Sequence, residues 1–387
     1  MRTNYFDWAA TTPISDKALQ TYIETAKNYS ANPSALHAEG KKARQFLEEK
    51  RVKIAKLLNV QSKQLIFTGG ATESNAIVLN SLLLRPKAGA VIFTSLEHDS
   101  ILQYSSFLTL KGFKVELLKG NKGFVTAQSL ENLLTDDTQL VSIMLVSNVL
   151  GTIQNIKELV EVVRSYEKRG GRKIHFHCDA TQALGKIDFD LGELGFDSAS
   201  FSAHKINGPR GVGLLYLKSE KIEVLSRGGS QEMGLRGGTE NVAAIAAMSC
   251  AIEECLTDLE TKRLKAIKLR VLFEKKISNC KAVKLLSPSY NESCVANILT
   301  IATAAPSEVF TRILYDKGFC VSSGSACSNN APNKKNNLLL SNGFTDKEAA
   351  SALRISFGHA TTEEQITILA ETICLEAEKF NAMIRSR

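Results

Sequence analysis

No window of this 387-residue chain reaches membrane-spanning length without a charge. The opening Met-Arg-Thr-Asn-Tyr-Phe-Asp has no apolar run of the kind a secretory leader needs. Eight cysteines are spread along the chain with no Cys-x-x-Cys pair and no disulfide-framework density. Those absences point to a reducing cytoplasm with mostly free thiols. There is no internal repeat, no P-loop and no GxGxxG sequence. A basic stripe interleaved with aromatics is also missing, so no direct nucleic-acid contact is expected. The formal charge of +8 is instead scattered among acids, as around Glu48 and Glu49. An anionic cofactor or an acidic protein partner fits that excess. What is present is an ordinary globular composition, 44% hydrophobic with 25 Gly and 7 Pro, which excludes disordered and collagen-like classes.

From about residue 42 to 260 short apolar runs alternate with helical stretches. Strands are predicted at 64–68, 90–94, 115–118, 140–145, 174–178, 198–201 and 212–217. Helices are predicted from Thr72, over 99–110 and over 156–166. Such alternation argues for βαβ units around a largely parallel sheet, with functional residues at strand ends and in the following loops. A long helical region is predicted from Asn241 through the charged run to about Lys276, with a change of domain near 260. The remainder reads as a smaller α/β domain, with strands at 295–299 and 352–357 and a helix over 362–380. The residues before about 15 join one of the domains or a partner subunit.

Several segments carry chemistry. At period two, His175, His177 and Asp179 share one strand face, opposite Ile174, Phe176 and Cys178. The three polar residues offer a metal set or a satisfied structural face, and the second reading is taken. Asp179, at the strand's C-terminal end, needs a cationic or protonated partner such as a ring nitrogen. Lys205 ends a strand before a Gly/Pro turn, which suits a positioned amine. His204 beside it is a candidate source of the cationic field that lowers a lysine pKa. Gly69-Gly70-Ala71-Thr72 joins a strand to a helix start, which suits either phosphate or a plain helix cap. A second glycine-rich region runs through Gly228-Gly229, Arg236 and Gly237-Gly238-Thr239. Cys327 follows Ser323-Gly324-Ser325-Ala326 in a polar loop, unlike Cys250 in its apolar run, and polar loops are where reactive thiols sit.

Taken together and in order, these motifs resemble the pyridoxal-phosphate-dependent cysteine desulfurases, NifS/IscS-like members of the class V aminotransferase superfamily. The resemblance runs nearly end to end. It includes Tyr5 to Pro13, Asn32-Pro33-Ser34 with His37, Phe67 to Asn75, Glu97-His98, Asp179-Ala180-Thr181-Gln182, Ser202-Ala203-His204-Lys205, Arg236-Gly237-Gly238-Thr239, the Cys327 loop and Leu353 to Gly358. It implies an α/β fold of pyridoxal-dependent fold type I, with a large domain over 15–260 and a small one from 1–14 and 261–387. It also implies a homodimer.

The same resemblance assigns roles. Lys205 anchors the aldehyde of pyridoxal 5'-phosphate and shuttles a proton. Asp179 bonds the ring nitrogen, His98 stacks on the ring and Gln182 meets the phenolic oxygen. Ala71, Thr72, Ser202 and His204 form the phosphate cup, with Thr239 from the other subunit. Asn148 and Arg354 face the substrate carboxylate, and Cys327 receives sulfur. The implied reaction takes L-cysteine to L-alanine and passes a Cys327 persulfide to an acceptor, an iron–sulfur scaffold or a tRNA-thiolation protein. Three departures stand out. Ser147 and Val149 flank Asn148 where the family has Asn and Glu, Cys178 replaces a usual Val, and an Asn/Lys-rich run follows Cys327. The alternatives are a selenocysteine lyase, a cysteine-sulfinate desulfinase or another class V enzyme, and a degenerate dimeric binding protein.

Overall fold

The computed structural model describes residues 4–219, 222–324 and 338–385. Among these, seven strands build one sheet: β1 Leu65–Thr68, β2 Ala90–Thr94, β3 Lys114–Leu118, β4 Thr138–Ser142, β5 His175–Asp179, β6 Ser198–Ser202 and β7 Gly213–Leu217. Their spatial order is β1-β7-β6-β5-β4-β2-β3. Neighbours pair in parallel from β6 across to β3, and only β7 runs against its neighbours. The carboxyl ends of six strands therefore share one edge, which is where ligands settle in open α/β sheets.

Adjacent residues along the strands enter different apolar clusters, as a period of two requires. Phe67, Ile92, Val141 and Leu214 pack in one cluster, and Ile66, Val91, Leu140 and Leu215 in the other. Both faces are thus covered. The middle of the second face is the exception. There β5 and β6 present His177, Ser198 and Ser200, all fully buried.

A second sheet holds β8 Lys284–Leu285, β9 Ile298–Ala302, β10 Ser322–Ser323 and β11 Ala352–Ser356 in the order β10-β11-β9-β8, all antiparallel. The helices Leu259–Ile277 and Glu363–Arg385 pack on each other beside it, and Phe273, Ile366 and Ile373 share its apolar cluster. Tyr5 and Asp7 bridge to Cys320 and Ser356, while Thr12 and Ser15 bond to the backbone of His204 and Asn207. The first described residues therefore strap the two sheets together.

The strand predicted at 295–299 forms over Ile298–Ala302 instead. The long helical region from Asn241 holds two helices, Val242–Leu256 and Leu259–Ile277. Thr257 is extended and Asp258 adopts a left-handed conformation at φ 53°, which no continuous helix accepts. The helix predicted over 99–110 likewise splits at Gln103.

Candidate active site

The carboxyl edge of the large sheet opens into a cavity of about 960 Å³. Lys205, Asp179, His98, Gln182, Ala71, Thr72, Ser202, His204, Asn148 and Arg354 all line it. Thr239 is exposed, accepts a long bond from Asn32 Nδ2 at 3.4 Å and does not line its own chain's cavity. Cys327 lies outside the described residues.

The end of the cavity at Gly70 is built by close backbone packing. Gly70 has φ +148°, a conformation that glycine tolerates. A Cβ on Gly213 would stand 2.5 Å from the Gly70 Cα, so β7 reaches the turn only because Gly213 lacks a side chain. The helix Ala71–Ser81 starts at Gly70 without a side-chain cap. Its first N–H groups and its dipole are left for an anion, with the Ser202 hydroxyl over Gly70.

Asp179 is the last residue of β5. Its Oδ1 accepts from Thr181 N at 3.0 Å and its Oδ2 from Asn75 Nδ2 at 3.2 Å. His98 caps the helix Asp99–Leu102 by accepting the Ser100 N–H on Nδ1 at 3.1 Å. A neutral His98 consequently carries its proton on Nε2. Glu97 beside it is fully buried. Thr94 Oγ1 and Met144 N donate to its Oε1, and Oε2 has no partner. Burial, then the nearby Asp179 charge, raises its carboxyl to about 8.

Lys205 does not end a strand. β6 stops at Ser202, and Lys205 closes the short 3₁₀ turn Ala203–Lys205, with Nζ donating to Ala9 O and Ala10 O at 2.8 Å each. The turn aims the amine back over the strand end, onto the N-terminal strap. The proposed field from His204 is corrected too. Burial, then Lys205 and Arg210, lowers its imidazole to about 4. His204 is neutral at physiological pH and stands as a hydrogen-bonding partner, with Nδ1 3.2 Å from Thr11 Oγ1.

At the other end, Arg354 on β11 donates from Nη2 to Asp7 Oδ1 at 2.8 Å and from Nη1 to Asn148 O at 3.2 Å. Ser322, its cross-strand partner, also donates to Asp7 Oδ1, at 2.8 Å. Ser147, where the resemblance would place Asn, accepts the Val149 and Leu150 N–H groups on its hydroxyl. Val149 packs with Leu286, Leu339 and Phe344. Both departures therefore serve the turn that presents Asn148. Buried Cys178 packs in the core, and its thiol pKa is raised by burial first. Cys250 is buried as well.

The donor set fits a ligand with an anionic tail, a basic ring nitrogen and a carboxylate-bearing partner. Three buried polar atoms of residues that line the cavity, Gln182 Oε1, Asn148 Oδ1 and Arg354 Nε, have no partner, which buried polar groups rarely tolerate. Gln182 donates Nε2 to Ala9 O at 2.9 Å and leaves Oε1 without a partner. Asp7, Asn75 and Ser100 escaped the sequence reading of roles. Asp7 and Asn75 sit inside the motifs Tyr5 to Pro13 and Phe67 to Asn75, whose individual residues the chain order alone does not separate.

Fold and site together define a pyridoxal-dependent enzyme of fold type I. The aminotransferase class-V family pattern matches residues 4–369. A NifS/IcsS protein homolog of Lactobacillus delbrueckii subsp. bulgaricus is 37% identical over 366 residues, covering 93% of this chain and 94% of that protein. Cysteine desulfurase IscS of Dictyoglomus turgidum is 35% identical, covering 99% and 96%. A solved NifS-like protein superposes with a TM-score of 0.89 at 33% identity, covering 98% of this chain and all of that one. The chain belongs to the class V aminotransferase family and, within it, to the NifS/IscS-like cysteine desulfurases.

Proposed function

We propose that the protein removes sulfur from L-cysteine, releases L-alanine and holds the sulfur as a persulfide on Cys327 for transfer to an acceptor protein. The observation that carries this reading is the cavity itself. It joins Lys205, Asp179 and His98 on the large sheet to Arg354 and Asn148 at the small one.

Pyridoxal 5'-phosphate, when bound, supplies an electron sink for bonds at the substrate Cα and Cβ. The chain's own groups do the rest. The Ala71 and Thr72 end of the helix, with Ser202 and His204, holds the phosphate, and Thr239 of a second copy completes the cup in a homodimer. Asp179 accepts the ring nitrogen's proton in a hydrogen bond, and His98 covers the ring. Lys205 gives up its bonds to Ala9 and Ala10 to hold the aldehyde, and on release moves the Cα proton. Arg354 meets the substrate carboxylate with its idle Nε and with Nη2, which gives up its bonds to Asp7 and Ser322 to complete a two-donor fork, with the Asn148 amide beside it. β10 carries Ser322 to the cavity wall, and the three residues from Gly324 to Cys327 span at most ~11 Å. The thiolate attacks the substrate sulfur. An S–S bond forms, the C–S bond breaks, and its electron pair ends as a C–H bond of alanine.

The test is turnover of L-cysteine and L-selenocysteine by wild type, Lys205→Ala and Cys327→Ala, all loaded with cofactor. Cys327→Ala should lose L-cysteine desulfuration while keeping the visible absorbance of the lysine-bound cofactor, and Lys205→Ala should lose desulfuration together with that lysine-bound band. Undiminished L-cysteine turnover in Cys327→Ala would sink the persulfide step and favour a selenocysteine lyase.

A further inference from the structure

The polar patch on the second face of the large sheet forms one hydrogen-bonded chain that ends on Asp179. Asn75, on the helix Ala71–Ser81, donates from Nδ2 to Asp179 Oδ2 at 3.2 Å and to Ser100 Oγ at 2.8 Å. Its Oδ1 lies 2.9 Å from His177 Nε2. His177 Nδ1 lies 2.7 Å from Ser198 Oγ, and His175 Nε2 lies 2.7 Å from the same hydroxyl. Asn75 and His177 are completely buried.

The direction of every bond follows from the carboxylate end. An ionised carboxylate only accepts, so Asn75 must turn its amide nitrogen to Asp179 and its oxygen to His177. That oxygen needs a donor, which puts the His177 proton on Nε2. Burial, then the neighbouring His175, depresses His177 to about 3, so the ring is neutral and Nδ1 accepts. Ser198 must then donate to Nδ1, and His175 Nε2 must donate to Ser198. Each member points its donor toward Asp179, the arrangement in which successive bonds polarise one another in the same sense. Asn75 also fixes Ser100, whose hydroxyl lies 3.0 Å from His98 Nδ1. One amide therefore sets both the acid at the ring nitrogen and the imidazole at the ring face.

We infer that His177 is a positioning residue for the reaction: by locking the orientation of the Asn75 amide it holds Asp179 as a carboxylate aimed at the ring nitrogen, and it does so with no contact to substrate or cofactor. This rests on the proposed pyridoxal chemistry. The same residues account for the shared face of His175, His177 and Asp179. His175 Nε2 and both His177 nitrogens are committed to Ser198 and Asn75, and among the described residues no group of three His, Cys, Asp or Glu is placed to hold a metal ion.

Without the His177 donor, the Asn75 oxygen is left buried and unpaired, the amide is no longer held with its nitrogen on Asp179, and the carboxylate loses a hydrogen-bond donor. The carboxylate then draws the proton off the ring nitrogen, the ring becomes less positive, and the lysine-bound cofactor holds its own proton to higher pH. The experiment titrates the visible absorbance of cofactor-loaded wild type, His177→Phe, His177→Gln and Ser198→Ala against pH, with the cofactor Kd and the kcat and KM for L-cysteine measured alongside. Glu97, the other ionisable group against Asp179, is unchanged in all four. In His177→Phe the absorbance midpoint should move up by about one pH unit, with kcat down about tenfold and KM unmoved. His177→Gln, which keeps a donor for Asn75, should recover most of the shift, and Ser198→Ala should show a smaller shift of the same sign. A midpoint and Kd in His177→Phe equal to wild type would overturn the inference. Should His177→Phe fail to fold, an unmoved midpoint in Ser198→Ala does so instead. The absorbance readout needs no turnover, so a protein with the visible band and no desulfuration contradicts the proposed function and leaves this test standing. A wild type that takes up no cofactor contradicts both.

Discussion

Arg354 shows how much a single side chain can say. Its Nη2 is committed to Asp7 and Ser322, its Nη1 to Asn148 O, and its Nε to nothing. A buried donor left idle on a residue that lines a cavity points to a ligand. Lysine preserves the charge and loses the fork. Arg354→Lys should therefore raise the KM for L-cysteine by about tenfold or more, with the cofactor absorbance unchanged. Steady-state kinetics beside a visible spectrum checks this. Arg354, Lys205 and Asp179 were legible in the sequence because each sits in a distinctive motif. Asn75 and His177 were not, because their work depends on partners from a helix and two strands that only the fold assembles. The period-two alternation did place His177 on the face of Asp179, and the hydrogen bonds give that alternation its reason.

At the scale of elements, most of the strands could be read from their apolar runs, since the buried sheet makes each run nearly continuous. The misses are local. Lys205 lies in a 3₁₀ turn and not at a strand end, and the helical region expected across 241–276 breaks where Asp258 turns left-handed. Periodicity carries no mark of either, because a turn and a one-residue kink leave the apolar spacing on both sides intact. The two-residue strand β10 gave no signal at all, yet it carries Ser322 into the cavity. The close approach of β7 to the Gly70 turn is itself testable. Gly213→Ala places a methyl against the Gly70 backbone, where nothing flexible can yield. Overpacking of this kind costs about 1–3 kcal/mol. The cofactor Kd, from absorbance titration, should weaken by about tenfold, while Arg354-dependent substrate recognition stays.

For the whole molecule, buried ionisable groups set opposing limits on stability. His177 and His175 are lowered to about 3 and about 4, mainly by burial. Their contribution is complete above the ordinary histidine range and is lost as pH falls toward those values, because the unfolded chain takes up protons first. Glu97 works the other way. Its folded pKa is raised from 4.5 to about 8, so its contribution is complete below 4.5 and is lost as pH rises through about 8. In melting scans of loaded protein, Glu97→Gln should be least favourable relative to wild type near pH 5 and should gain on it steadily toward pH 8. A difference in Tm that stays flat across that range would count against a neutral buried Glu97.

The two sheets meet at the cavity, and the N-terminal strap holds them there through Asp7, Ala9 and Ala10. That geometry brings Asp179 and His98 to the same cavity as Arg354 and Asn148, with Gly324 three residues before Cys327 in the chain. The most direct measurement is therefore made on that thiol. Loaded protein is treated with sulfur-labelled L-cysteine, blocked with an alkylating agent, digested without reductant and read by mass spectrometry, with alanine counted in parallel. The expected result is one labelled sulfur on the peptide carrying Cys327, matched by one alanine, and neither in Cys327→Ala. Alanine formed at the wild-type rate with no labelled sulfur on Cys327 would contradict it.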